Sequence, residues 1–580
     1  MIRKCLIVFV CLPTLLCASL STLQAQSLEA STPTQLAVGV NNTAPNGESD
    51  QLALSPNSKL LVFRSASDNL VADDFNEKYD IFLRAADGTI TKESVSSDGH
   101  AADADSQRPC ISQVTANGAF GIAFLSRSST FVEGLTTPER EHDQVYLRLP
   151  HIKKTILISR GTDGKAALGV SNNPQVVAFG NGEKFLVAFD SDAYNLPDAA
   201  PEGPNGHRPK RIFFAIVTVT DGEPAVETLR GFIGANGMQA DGHISNPVLS
   251  GYGDKMLFRT NASNLGWANP TGLFHIASAI KGGSIELVSK SPTDGSPGDA
   301  NSEAPSISFN GTVYAFKTES SNILGGSPLY PSVVAYSTAT KTYSLVNSTA
   351  DGVRGDSSVH DSLMVDPKGR FIAFIDKSSN YLPSGTDTND RDDVFVKDLE
   401  TKKILRVNVG AGSAQETDGY VGGPVLGTLG YASQVTTVGF FSNGSVLRQV
   451  GSSELSEVYR SELTSPPPPL NNTTKIEAPP EVVPGVQRLT LRFQKFGAVV
   501  SIKDLRNVWG MATKVTYEAR LRNTSTKKNL KVISTKNRVT LRNITPGTYT
   551  VKYRVIGTPP KGKKITTRYS PSATATVRSN

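Results

Sequence analysis

Short apolar runs broken by turn-forming residues recur along the chain, a pattern that predicts many short strands and few helices. One set ends in phenylalanine: Leu61-Val62-Phe63, Ile122-Ala123-Phe124, Val187-Ala188-Phe189, Met256-Leu257-Phe258, Tyr314-Ala315-Phe316, Ile372-Ala373-Phe374 and Val438-Gly439-Phe440. A further strand is predicted at Ile81-Phe82-Leu83, Val145-Tyr146-Leu147, Ile212-Phe213-Phe214, Val333-Val334-Ala335 and Val394-Phe395-Val396. Ahead of the phenylalanine strands stand Asx-Gly pairs at Asn46, Asp98, Asp163, Asp241, Asp294, Asp351 and Asp418. Glycine accepts a positive φ and the Asx side chain bonds its own backbone, so these pairs predict tight turns. Asparagine followed by an apolar residue recurs at Asn69, Asn195, Asn264, Asn322 and Asn380.

Seven units of about four strands predict a β-propeller, with the phenylalanines packed between blades. The last unit has strands near Gly423–Leu426, Val435–Phe441 and Glu457–Ser461, then meets Pro466–Pro469, leaving its fourth place empty. A surplus strand at Leu36–Val40 would fill it and close the ring. The expected fold class is all-β: a seven-bladed β-propeller over residues 33–464, closed by an N-terminal strand, then a Pro-rich linker over 465–484 and a small β-sandwich over 485–580.

Composition agrees. With 38% hydrophobic and 19% charged residues the chain can build a core, and 50 Gly with 34 Pro suit turn-rich sheets. Arg3 and Lys4 precede an apolar run from Cys5 to Leu20, and small residues lead to Ala25, which predicts a signal peptide over 1–25 and an exported chain. No later run is long and apolar enough to span a bilayer. Cys5, Cys11 and Cys17 lie in that leader, so Cys110 alone would persist and no intramolecular disulfide could form. An apolar strand ending in Phe, then Ser-x-x-Asn-Leu, an Asp/Asn loop and Asp-Ile-Phe or Asp-Val-Phe resembles the TolB-type propeller repeats of bacterial secreted proteins. The resemblance covers roughly residues 33–464 and implies a periplasmic or secreted protein. TolB itself has six blades behind an α/β domain, which is not visible here. Sialidase Asp boxes and a Gly-x-Ser-x-Gly elbow are not found either.

From residue 481 the balance changes. Residues 481–580 hold 21 Lys/Arg against Glu481, Asp504 and Glu518, a net +18, which leaves −12 for the rest of a chain whose total is +6. Alternating strands are predicted at Leu489–Phe493, Val515–Leu521, Val539–Ile544, Tyr549–Val555 and Ala573–Val577. The run Ile544-Thr545-Pro546-Gly547-Thr548-Tyr549 resembles a fibronectin type III domain. Arg520, Arg522, Lys552 and Arg554 alternate with apolar residues and predict one basic face, for solubility or for an acidic polymer. Nucleic acid is not expected, for aromatic interleaving is missing.

Two loops carry carboxylates in register: Asp74, Asn76 and Asp80 in the first unit, Asp387, Asn389 and Asp393 in the sixth. They could bind calcium through hard oxygen ligands, or serve as turn formers and strand caps. His100, His243 and His360 fall near the same rim. Three functions follow. The first is an exported, non-enzymatic binding or scaffold protein whose propeller face recognises a protein or an anionic glycan at the cell envelope. The second is a carbohydrate-active enzyme, a polysaccharide lyase or hydrolase working in the channel. The third is a scaffold whose basic domain docks on the acidic propeller.

Overall fold

The computed structural model describes residues 28–464 apart from 133–140, 204–205, 233–236, 282–283, 326–328, 411–417, 429–434 and 451–454, together with strand segments between 488 and 577. The chain is a seven-bladed β-propeller, each blade an antiparallel meander of neighbouring strands. The blades span residues 49–92, 106–157, 171–231, 244–287, 302–345, 359–406 and 421–464. In blade 1 the order from the axis outward is Ser49–Leu54, Leu60–Ser65, Asp80–Ala85 and Ile90–Lys92.

The phenylalanine of each second strand is fully buried, as its apolar setting demands. It pairs in register with a third-strand residue, often another ring. Phe63 stacks on Phe82 with centroids 5.8 Å apart, Phe124 on Tyr146 at 5.8 Å, Phe189 on Phe213 at 5.6 Å and Phe440 on Tyr459 at 5.8 Å. Core clusters run from one blade into the next. The one containing Val187 and Phe213, for example, also takes Leu125 and Leu147 from blade 2.

The ring closes with the N-terminal segment, through residues just upstream of those expected. Glu29–Ala30 and Thr34–Gln35 pair with the last strand, Glu457–Thr464, in the registers Ala30↔Leu463 and Gln35↔Tyr459. Leu36 adds one more bond, its N–H to the Val458 carbonyl at 2.8 Å. Val40–Asn42 is instead a 3-10 turn, because Asn41 and Asn42 both adopt positive φ and bend the chain towards blade 1.

The Asx-Gly pairs, expected as one repeated feature, divide into two positions. At Asp98, Asp163, Asp294 and Asp351 the glycines have φ of 89°, 79°, 75° and 85° and close small hairpins between blades. At Asn46, Asp241 and Asp418 the pair lies three residues before the inner strand, and the Asx side chain clamps the loop after the second strand. Ser263 N–H donates to Asp241 Oδ1 at 2.7 Å, and Ser445 N–H to Asp418 Oδ1 at 2.6 Å. Asp103, Asp299 and Asp356 make the same clamp without a following glycine. Gly242 serves close approach, since a Cβ there would sit 2.5 Å from Asn261 Oδ1 and 2.8 Å from the Ala262 nitrogen.

The recurrent asparagines complete the clamp. The side-chain N–H of Asn69, Asn195, Asn264, Asn322 and Asn380 donates to a lead-in carbonyl at 2.7, 2.8, 2.8, 3.0 and 2.8 Å. The two glycine classes should respond differently to substitution. Gly295 has open space and φ +75, a region asparagine tolerates, so Gly295→Asn should shift stability by less than about 1 kcal/mol. Gly242→Asn should cost about 1–3 kcal/mol through overpacking. Urea melts of the two variants check this.

In the C-terminal part, Arg488–Arg492 pairs with Arg538–Arg542. Lys514–Asn523 pairs with Gly547–Thr558 and with Asn529–Ser534, the latter a strand the sequence did not suggest. Ile565–Thr566 and Ala573–Val577 complete that second, five-stranded sheet. The expected leader (1–25) and linker (465–484) lie outside the described residues. No helix among the described residues is long and apolar enough to cross a membrane.

Candidate functional site: the channel mouth and its rim

Every second-to-third-strand loop and every blade-to-blade connection opens on one face, because the four strands alternate in direction. Contacts between the two loop classes define the rim: Tyr79 N–H donates to Asp105 Oδ1 at 3.1 Å, and Asn76 Nδ2 to the Ala102 carbonyl at 3.1 Å.

Inside the rim lies the channel, a cavity of about 630 Å³ walled by the inner strands. Each inner strand is interrupted by a bulge, for example between Asp50 and Ala53 or Gln107 and Cys110. Gln51, Arg108, Asn173, Asn246, Ala304 and Gly423 occupy the bulges with φ of 46°, 51°, 50°, 53°, 51° and 57°. Left-handed backbone at five residues other than glycine is costly, and such geometry gathers where side chains must be aimed. In five blades proline follows: Pro109, Pro174, Pro247, Pro305 and Pro424. An inner strand has no further strand to bond on the channel side, so a missing N–H is tolerated there. This ring escaped the sequence reading, although a proline three residues after the first serine of the strand (Ser106, Ser171, Ser302) was its signal.

Ion pairs and hydrogen bonds tie the bulges within and between blades. Arg108 N–H donates to Gln51 Oε1 at 2.7 Å, and Arg108 Nη1 to Asn173 Oδ1 at 3.2 Å. Buried Asp190 accepts from Asn173 Nδ2 at 2.7 Å, the Asn246 N–H at 2.9 Å and Lys210 Nζ at 3.0 Å. Arg259 lies 3.5 Å from the Phe274 ring centre and pairs with Glu303 at 2.8 Å. Arg64 forks onto Asp50 at 2.7 and 2.6 Å, and Lys317 pairs with Asp361.

The two carboxylate loops are occupied by side-chain cations. Lys92 Nζ sits 2.9 Å from Asp74 Oδ1 and 3.7 Å from Asp80 Oδ2, and Ser94 Oγ donates to Asp80 Oδ1 at 2.6 Å. In blade 6, Arg406 Nη1 lies 3.2 Å from Asp393 and 3.8 Å from Asp387, while Asn408 Nδ2 donates to Asp393 at 2.6 Å. Asn389 accepts the Arg391 N–H at 3.1 Å. Burial dominates the electrostatics: desolvation pushes Asp80 and Asp393 up to about 6 despite the nearby cations. Calcium at either loop would compete with the resident ammonium or guanidinium. Among the described residues no group of three or more His, Cys, Asp and Glu is placed to hold a metal ion.

The histidines are scattered. His243 accepts the Lys210 N–H at Nδ1 (3.2 Å), and desolvation, helped by Arg211 and Lys210, lowers its pKa. His360 pairs with Asp392 at 3.1 Å. His100 donates its backbone N–H to Ser96 Oγ. Cys110 is on the inner strand of blade 2, its thiol pushed up to about 11 by burial.

In the C-terminal sheet the registers are Arg520↔Lys552, Glu518↔Arg554 and Arg522↔Thr550. On the other side of the same strand Arg520 is in register with Lys531.

No family model and no curated protein matches the chain. Among solved structures it is similar to a TolB-type protein from Agrobacterium tumefaciens (13% identity, TM-score 0.28, covering 55% of this chain and 89% of that one). It is also similar to the Trypanosoma rangeli sialidase in complex with the inhibitor DANA (10%, 0.31, 83% and 86%). A third is a puromycin hydrolase (10%, 0.35, 73% and 56%). At these identities the likeness concerns the propeller fold alone.

Proposed function

We propose that the chain is an exported bacterial binding protein, non-enzymatic, whose propeller rim docks a protein of the cell envelope. Its C-terminal module, fibronectin type III-like, would hold an anionic glycan on the basic face of Arg520, Arg522, Lys552 and Arg554. The observation that carries this reading is where exposed apolar side chains gather. Phe75 (83% exposed), Leu329 (85%), Tyr194 (58%), Val353 and Tyr420 all sit on rim loops, whereas on the opposite face Ile280 is the one large apolar side chain exposed among the described residues. Exposed apolar groups concentrated on one face mark an interaction surface. Exposed acids stand among them, including Asp73, Asp98, Asp163, Asp294 and Asp351, so the partner suited to this face has an apolar centre bordered by Lys and Arg.

A lyase or hydrolase would need an acid or base that reaches its substrate. The carboxyls best tuned for that, Asp80 and Asp393, are both fully buried. The test uses the full chain on fractionated envelope proteins and acidic polysaccharides. Saturable protein binding without turnover is expected, weakened at least tenfold by Phe75→Ser with Leu329→Ser. Release of oligosaccharide product from an acidic polysaccharide would overturn the reading.

A further inference from the structure

Among the described residues that wall the channel, two carry charge, Arg108 in blade 2 and Asp361 across the ring in blade 6. Asp361 is neutralised by Lys317. Arg108 is exposed, and among the described residues its guanidinium makes one bond, Nη1 to Asn173 Oδ1 at 3.2 Å, with no carboxylate on the rest of its donor fork. Its backbone is fixed at φ 51° and anchored to Gln51 at 2.7 Å, so the fork is aimed by a rigid bulge rather than by a mobile loop.

We infer that the channel mouth is a receptor for the carboxylate of an acidic sugar, a uronic acid within a short oligosaccharide. Arg108 would take the carboxylate in the bidentate geometry that guanidinium favours. Hydroxyl recognition falls to amide side chains on other bulges of the same ring, Gln51 in blade 1 and Asn246 in blade 4. The Gln51 amide spends its oxygen on Arg108, keeping its N–H groups for ligand, and Asn246 engages Asp190 through its backbone N–H alone. A cavity of about 630 Å³ lies within the range that encloses small ligands. The acids on the surrounding rim repel a long polyanion but are screened beyond about 8 Å at physiological salt, which favours a short, singly inserted chain end.

This site is separate from the C-terminal basic face, though it deepens the same glycan-binding reading. The experiment is calorimetric titration of the full chain with trigalacturonate and with the neutral trigalactose. Binding of the uronate at least tenfold tighter than the neutral sugar is expected, and Arg108→Gln should abolish that difference with an unchanged melting temperature. Arg108→Lys, which keeps the charge without the fork, should recover only part of it. Uronate binding that survives Arg108→Gln but is lost on changing Arg520, Arg522, Lys552 and Arg554 to Gln would overturn the channel site and leave the basic-face reading intact. Equal affinity for the two sugars, or tighter binding of a glutamate-rich peptide than of the uronate, would also overturn it.

Discussion

Deleting residues 26–42 opens the ring and costs the propeller a large share of its stability, on the order of 6 kcal/mol. That figure follows from what the segment buries. Leu28, Leu36 and Ala37 are 7%, 3% and 0% exposed and join core clusters of the last blade and the first. At roughly 1.5–3 kcal/mol for each leucine-sized side chain they supply most of the loss. The Ser31 and Leu36 N–H groups bond the last strand at 2.9 and 2.8 Å. The Gln35 side chain accepts the Gln449 and Val450 N–H groups at 3.0 and 3.1 Å. Removing them also bares an edge strand, Glu457–Thr464, with its bonding groups unpaired. Calorimetry should show a melting transition lowered by ten degrees or more and broadened as cooperativity around the circle fails. A transition unchanged in midpoint and width would mean that the seam is held by something other than this segment.

How far the fold could be read beforehand depended on what each signal encodes. The buried second strands were plain because doubly covered sheets need unbroken apolar runs, and Phe63 through Phe440 mark them. The closing ladder lies one to seven residues upstream of Leu36 and was expected later, since Leu36–Val40 looks more strand-like than Glu29–Gln35 although the polar stretch makes the ladder. Pairing is a backbone property, and side-chain preference reports it only indirectly. The Asx-Gly pairs were merged because the dipeptide is the same whether glycine supplies a positive φ, as at Gly295, or room for a neighbouring backbone, as at Gly242. At the mouth, the acids Asp74, Asp80, Asp387 and Asp393 were visible as a set. Their cations Lys92 and Arg406 were not, because they arrive from the outer strand and only tertiary structure sets the pairing. Arg108 itself does not stand out in the sequence, since its meaning comes from seven inner-strand bulges meeting around one axis.

The buried carboxylates of blade 1 carry the second large effect. Lys92→Met should destabilise the protein by about 3–5 kcal/mol at pH 8, because it removes one partner from a buried ion pair and strands the other. Asp74 and Asp80 are 4% and 0% exposed, with Lys92 at 2.9 and 3.7 Å as their cation. The cost should depend on pH with a definite sign. Desolvation has already raised Asp80 from 3.8 to about 6, so the folded state binds its proton more tightly than the unfolded chain does. Stability from this group is therefore greatest below the unfolded pKa and declines as pH rises through the window between about 4 and 6. Without Lys92 the window extends upward, and the variant should lose up to about 1.4 kcal/mol for each further pH unit while Asp80 alone is titrating. Denaturant melts from pH 5 to pH 8 should then show the gap between variant and parent widening with pH. Adding Asp80→Asn should close most of it, since the amide has no charge to strand. A gap of constant size across that range would show that Lys92 acts by packing its methylenes rather than by its charge. The same variant reads the calcium question. With the ammonium gone, Asp74, Asn76 and Asp80 offer hard oxygens, and a melting point raised by millimolar calcium over chelator in the variant but not in the parent would mark lysine as the resident cation of this loop.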